Sequence, residues 1–223
     1  MLRYGALRAS RNACVVAGVA IVALGTQVSA GQITIAALGD SLTQGFGLPP
    51  EDGFVPQLEA WLRANGVADV TVLNAGVSGD TTAGGLARVA WTLTDDVDAM
   101  IVALGGNDLL RGIEPATSRA NIDGILQAAA LAEVPVLLSG MRAPANYGPD
   151  FKEDFDTMYP DLAAAYDALL HPFFLEGLGA GEDLGAARAL LQPDGIHPNQ
   201  EGVARIVAQI GPFVQELIER AEN

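Results

Sequence analysis

The sequence is poor in the residues that several chemistries require. It has one cysteine, Cys14, so an internal disulfide is excluded. With two histidines besides, a four-ligand zinc site built on cysteine and histidine is disfavoured. Basic side chains are scarce: 12 Lys and Arg stand against 27 Asp and Glu, a formal charge of −15. A nucleic-acid-binding face must displace counterions from phosphates with positive charge, and this chain has none to spare. The same imbalance opposes docking on anionic membranes and serves chiefly to keep the protein in solution. Phosphate-binding glycine loops are missing too. Gly177-x-Gly179-x-Gly181 breaks the dinucleotide spacing before its last glycine, and no P-loop occurs. The Gly-x-Ser-x-Gly elbow of α/β-hydrolases is absent as well, since Gly76-Val77-Ser78-Gly79-Asp80 lacks the final glycine.

What remains is a chain of 223 residues, half of them hydrophobic (50%). That is enough to bury a full core, which excludes intrinsic disorder. The first thirty residues have a separate character. Arg3, Arg8 and Arg11 precede an apolar run over residues 13–24, and Val28-Ser29-Ala30 offers small residues where a signal peptidase cuts. The run is shorter than the roughly 20 residues that span a bilayer, so it reads as a secretory leader over residues 1–30 and not as a retained anchor. Cys14 opens the run and so is badly placed for lipid attachment. Cleavage after Ala30 would remove the only thiol and deepen the acidic excess by three charges. The expectation is a periplasmic or secreted protein whose working domain spans residues 31–223.

From there, short apolar runs alternate with helical patterns. Strands are expected at 33–38, 70–73, 99–104 and 134–138, with a short fifth at 169–170. Helices are expected at 53–64, 80–91, 114–132, 151–168 and 198–221, and 177–185 reads as a glycine-rich loop. Residues 99–104 are apolar throughout, as a strand covered on both faces should be. The alternation predicts an α/β fold, a three-layer sandwich around a mostly parallel five-stranded sheet, as one domain. Ligands of such sheets bind beyond the carboxyl ends of the strands. Here those ends carry Gly39-Asp40-Ser41, Asn74-Ala75-Gly76, Gly105-Gly106-Asn107-Asp108 and Gly140-Met141-Arg142.

Taken singly, these residues are ambiguous. His171, beside Pro172-Phe173-Phe174, suits a buried, hydrogen-bonded imidazole. His197 lies three residues after Asp194; either the carboxylate orients the imidazole for proton transfer, or Asp194 makes a turn and His197 only precedes the last helix. Ser41 is a nucleophile projecting from a strand end or a helix-capping serine. Gly79 and Asn107 are oxyanion donors or turn residues.

Together, in order along one chain, they resemble the four blocks of the SGNH, or GDSL, hydrolase family: Gly39-Asp40-Ser41-Leu42, Gly79 within 74–82, Gly105-Gly106-Asn107-Asp108, and Asp194-Gly195-Ile196-His197-Pro198. The likeness covers nearly all of residues 33–215. It is greatest to the branch of periplasmic thioesterase, lysophospholipase and arylesterase enzymes, whose substrate-contacting loop is similar to Arg142-Ala143-Pro144-Ala145-Asn146-Tyr147-Gly148. The resemblance implies a flavodoxin-like sheet and hydrolysis of acyl esters and thioesters through an acyl-serine. It implies Ser41 as nucleophile, His197 as general base and Asp194 as its orienting partner. Ser41 N–H, Gly79 N–H and the Asn107 amide are the implied oxyanion donors, and neither metal nor cofactor is called for. Residues 176–181 match nothing in that branch.

An acyl groove at the same edge would draw on Leu109, Leu110, Ile113, Met141, Pro144 and Tyr147, with Phe173-Phe174 by default in the core. Such a groove favours medium acyl chains. A carbohydrate acetylesterase would need a small pocket instead. An inactive α/β binding module is disfavoured by the intact Ser41, Asn107, Asp194 and His197.

Overall fold

The computed structural model describes Met1, residues 32–179 and residues 184–223. The leader read over residues 1–30 lies outside the described residues, as does the middle of the 177–185 stretch. Five strands, β1 (Ile33–Gly39), β2 (Val70–Gly76), β3 (Ala99–Ala103), β4 (Val136–Ser139) and β5 (Leu169–His171), form one wholly parallel sheet in the order β2-β1-β3-β4-β5. The helices between and after them are α1 (Ser41–Gln44), α2 (Phe54–Ala64), α3 (Thr82–Thr92), α4 (Gly106–Leu110), α5 (Pro115–Leu131), α6 (Pro149–Ala165), α7 (Leu184–Ala189) and α8 (Gln200–Ala221).

Alternation along β1 explains the layers. Ile33, Ile35 and Ala37 face a core that contains Phe54, Leu58 and Leu62 of α2 and Val203, Ile206 and Ile210 of α8. Ala36 and Leu38 face the opposite core, shared by Val89 of α3, Ile122 and Ile125 of α5, and Phe155 and Tyr159 of α6. Both faces are covered, so β1 carries no solvent-facing polar stripe, and Thr34 near its start is its one polar side chain.

The sheet order reverses between β1 and β3: the chain moves outward to β2, then crosses back to the other side of β1. Register puts Gly39 opposite both Gly76 and Ala103, so three strand ends stop at one level. That crevice is where ligands bind in open parallel sheets. Gly39 is demanded by contact there: a Cβ would fall 2.0 Å from Thr43 Oγ1, beneath the turn that carries Ser41.

Several boundaries differ from the sequence pattern for local reasons. α3 starts at Thr82, not Asp80, because Thr81 caps it and the Asp80 carboxylate turns to Arg88. α8 starts at Gln200, not Pro198, because the Asn199 side chain accepts the Gly202 N–H at 3.0 Å. α6 runs two residues earlier at its start and ends at Ala165, with Pro149 in its first turn. The 177–185 stretch is not all loop: Gly177 and Leu178 lie in a 3₁₀ turn, and Leu184 and Gly185 open α7. Leu178, itself buried, anchors that turn against α8.

His171 at the end of β5 is buried as expected, but only half satisfied. Nδ1 lies 2.9 Å from Ser139 Oγ, the Phe213 ring meets it edge-on at 5.1 Å, and Nε2 has no partner among the described residues. Burial lowers its pKa from the usual 6.5 to about 4. The native state therefore holds the neutral imidazole, while the unfolded chain takes up a proton below pH 6.5. The resulting stability is complete above that pH and is lost as pH falls toward 4. Between about pH 7.5 and pH 5 the loss should be about 2 kcal/mol. Urea unfolding at the two values checks this, with His171→Gln expected to lose that much less than the wild type. Equal losses in both proteins would assign the acid sensitivity elsewhere.

Candidate active site

The crevice holds a cavity of about 570 Å³, within the range of small-molecule sites. Ser41 is the first residue of α1, so β1 delivers it to the floor of the cavity. The buried Asp40 caps that helix, accepting the Leu42 N–H at 3.0 Å through Oδ1. Its Oδ2 accepts from Asn107 Nδ2 at 3.2 Å. Burial pushes the Asp40 pKa above the ordinary carboxylate value, and these two donors oppose the shift.

Asp194 and His197 reach the same place from a loop closed by the bridge between Leu191 and Pro198. Asp194 Oδ1 accepts the N–H groups of Ile196 (2.9 Å) and His197 (3.0 Å). Its Oδ2 lies 2.7 Å from His197 Nδ1. The hydrogen bond from His197 and the two backbone N–H groups hold the Asp194 pKa down at about 2, so it stays a carboxylate wherever a histidine titrates. His197 Nε2 is 2.9 Å from Ser41 Oγ. A hydroxyl against one imidazole nitrogen and a carboxylate against the other is the arrangement that turns an alcohol into a nucleophile.

Gly79 and Asn107 line the cavity opposite. Gly79 has φ +84°, a conformation that suits glycine, and it lies in the turn before α3. Among the described residues neither the Ser41 N–H nor the Gly79 N–H has a protein acceptor. Asn107 gives one amide hydrogen to Asp40 and has a second to spare. Asn107 is carried by α4, which Asp108 fastens. The fully buried Asp108 carboxylate accepts from Thr82 N (2.9 Å), Thr82 Oγ1 (2.6 Å) and Ser118 Oγ (2.8 Å), tying α4 to α3 and α5.

Of the groove residues expected from sequence, Leu109, Leu110, Met141, Pro144 and Tyr147 line the cavity. Ile113 does not. The chain turns at Gly112 (φ +61°), and the Ile113 N–H returns to Asp108 O, which takes the residue out of the wall. Phe174 is in the core, while Phe173 lies under Arg142 at 4.8 Å.

Phe46, Leu175 and Ile196 also line the cavity, though no sequence pattern marks them as wall residues. The Phe46 ring lies 4.6 Å from the His197 imidazole, tilted by 38°. Gln192 secures this contact: its Nε2 donates to Phe46 O (2.8 Å) and Pro198 O (2.9 Å). The positive-φ glycines on either side of Phe46, Gly45 (φ +87°) and Gly47 (φ +76°), are the local hint that the chain turns back here.

The comparisons with known proteins agree with this geometry. A family model described as GDSL-like lipase/acylhydrolase matches residues 37–205. Esterase TesA of Pseudomonas aeruginosa is 38% identical over 208 residues, covering 93% of this chain and 100% of that protein. Thioesterase 1/protease 1/lysophospholipase L1 of Escherichia coli is 35% identical over 186 residues, 83% of this chain and 85% of its own. The crystal structure of AlinE4, an SGNH-hydrolase family esterase, superposes with a TM-score of 0.68 at 43% identity, over 84% of this chain and 97% of that one. Sequence model, relatives and fold all lead to one assignment: the chain belongs to the GDSL-like lipase/acylhydrolase family.

Proposed function

We propose that this enzyme hydrolyses carboxylic esters and thioesters of medium-length acyl chains, with Ser41 as nucleophile. The observation that carries the reading is the run of two short contacts, Ser41 to His197 to Asp194, at the floor of a largely apolar cavity. In the first half-reaction His197 Nε2 takes the Ser41 proton as Oγ attacks the acyl carbonyl. The negative charge that develops on the carbonyl oxygen meets the N–H groups of Ser41 and Gly79 and the free hydrogen of the Asn107 amide. His197 then protonates the leaving alcohol or thiol, and the tetrahedral adduct collapses to acyl-Ser41. In the second half-reaction the same imidazole deprotonates water, which attacks the acyl-enzyme, and Ser41 is restored as the acid leaves. Asp194 stays ionised throughout and stabilises the imidazolium formed in each half.

Leu109, Leu110, Met141, Pro144, Tyr147, Phe46, Leu175 and Ile196 give the cavity its apolar wall. That size and lining suit an acyl chain of several carbons better than an acetyl group, which is the argument against a carbohydrate acetylesterase. Hydrolysis of p-nitrophenyl esters from acetate to palmitate tests the proposal. Activity should peak at medium length. A peak at acetate would instead assign the protein to small acyl groups, and silence across the series in folded protein would refute ester hydrolysis.

We further propose that residues 1–30 are a cleaved leader and that the mature enzyme works in the periplasm or outside the cell. The arginine-led apolar run, followed by the small residues Val28-Ser29-Ala30, supports this. The mass of exported protein, which should begin at Gly31, checks it.

A further inference from the structure

Arg111, like Arg142, which lies over the Phe173 ring, differs from most basic side chains of this acidic protein. Arg63, Arg88, Arg119, Lys152, Arg205 and Arg220 all reach carboxylates. Arg111 reaches none among the described residues. Its Nη2 donates instead to the backbone carbonyl of Gly79, at 2.7 Å. Gly79 lines the cavity, is in a positive-φ conformation, and has its N–H unclaimed among the described residues.

The position of Arg111 in the chain matters as much as its contact. It closes α4, with its own N–H donating to Asn107 O (3.1 Å) and Asp108 O (3.2 Å). Asn107 and Arg111 are thus one helical turn apart. One end of this turn presents the Asn107 amide to the cavity, and the other grips the residue that presents the Gly79 N–H. The turn itself is held by the buried Asp108 carboxylate.

We infer that Arg111 is a positioning residue: it fixes the peptide after Gly79, so that the Gly79 N–H and the Asn107 amide point at one spot. The inference rests on the oxyanion-donor reading proposed above. The physical reason is the softness of glycine. At φ +84° a glycine has several accessible ψ values, and rotation about ψ lets the turn relax and carry its N–H off the oxyanion. A hydrogen bond from a charged donor to the Gly79 carbonyl removes that freedom. Arg88 supports the same turn from below, donating to Gly39 O, Ala75 O and Asp80 Oδ2, but it leaves the Gly79 carbonyl free. Arg111 is exposed and makes no other side-chain hydrogen bond among the described residues, so its loss should not unfold the protein.

The test uses p-nitrophenyl butyrate, an uncharged ester, so that any recognition of anionic substrates by the guanidinium has no part in it. Arg111→Ala should lower kcat about tenfold with KM within about twofold, since a donor misplaced costs less than a donor removed. The thermal midpoint should not change. Affinity for an alkyl trifluoromethyl ketone, whose adduct with Ser41 bears the oxyanion, should fall by the same factor as kcat, while affinity for the product acid stays constant. Arg111→Lys, which keeps one charged N–H donor, should recover part of the loss. An unchanged kcat in Arg111→Ala would overturn the inference. So would a loss that tracks a lowered thermal midpoint, or a change confined to KM for phosphate-bearing thioesters. Asn107→Ala, measured alongside, tests the underlying reading separately. It should cost about 100- to 1,000-fold in kcat; wild-type turnover there would sink the oxyanion assignment itself, whatever Arg111 does.

Discussion

Replacing Ser41 by alanine is expected to lower kcat by about 10⁶-fold, the scale seen when the nucleophile of a serine hydrolase is removed. The expectation follows from the geometry. Ser41 Oγ is the only hydroxyl within hydrogen-bond reach of His197 Nε2 among the described residues. The nearest other serine of the cavity, Ser78, donates its hydroxyl to Gln44 Oε1 at 2.7 Å. No substitute nucleophile therefore stands ready. The variant should fold normally, since Ser41 Oγ makes that single contact and α1 remains capped by Asp40. Steady-state hydrolysis of a medium-chain ester, with a thermal melt as control, reads the effect. Labelling by a fluorophosphonate probe should vanish in the same variant. Turnover within tenfold of wild type would move the nucleophile to another residue.

The second large effect concerns Asp194→Asn, expected to cost about 10⁴-fold in kcat. Asparagine has the shape of aspartate, yet this site dictates which way it points. The Ile196 and His197 N–H groups both need an acceptor, so the amide oxygen must take the place of Oδ1. That leaves the amide NH₂ against His197 Nδ1, where Oδ2 now lies. Two donors cannot face one another, so Nδ1 must become the acceptor and the proton moves to Nε2. An imidazole protonated there cannot take the Ser41 proton. The loss is thus one of tautomer, and the double variant with Ser41→Ala should be no slower than Ser41→Ala alone. A rate close to wild type in Asp194→Asn would mean that His197 works without the carboxylate.

The fold was readable from sequence because the sheet is buried on both faces and every crossover carries a helix. Residues 99–104 could scarcely be anything but a central strand. α4 was unreadable for the opposite reason. Gly105-Gly106 opens it against local propensity, and the turn is held by the Asp108 carboxylate, whose partners lie 10 and 26 residues away. The candidate site divides along the same line. Ser41, Gly79, Asn107, Asp194 and His197 stand in recognisable blocks. Asp40, Phe46 and Arg111 act through contacts that sequence order conceals, such as Asp40 to Asn107 across 67 residues. Ile113 illustrates the converse: it is apolar and stands next to a site block, yet the turn at Gly112 takes it out of the cavity wall.

The distance in sequence between Ser41 and His197, 156 residues, bears on the timing of the enzyme's life. Ser41 is made early and His197 late, and the loop bearing His197 is secured by Asn199 at the start of the last helix, through its donations to Ala189 O and Leu191 O. On the roles proposed for these residues, a ribosome-bound chain that lacks its last segment holds an inert hydroxyl. If His197 is the base, competence arrives only when the final segment has docked, and an incomplete copy should show no esterase activity.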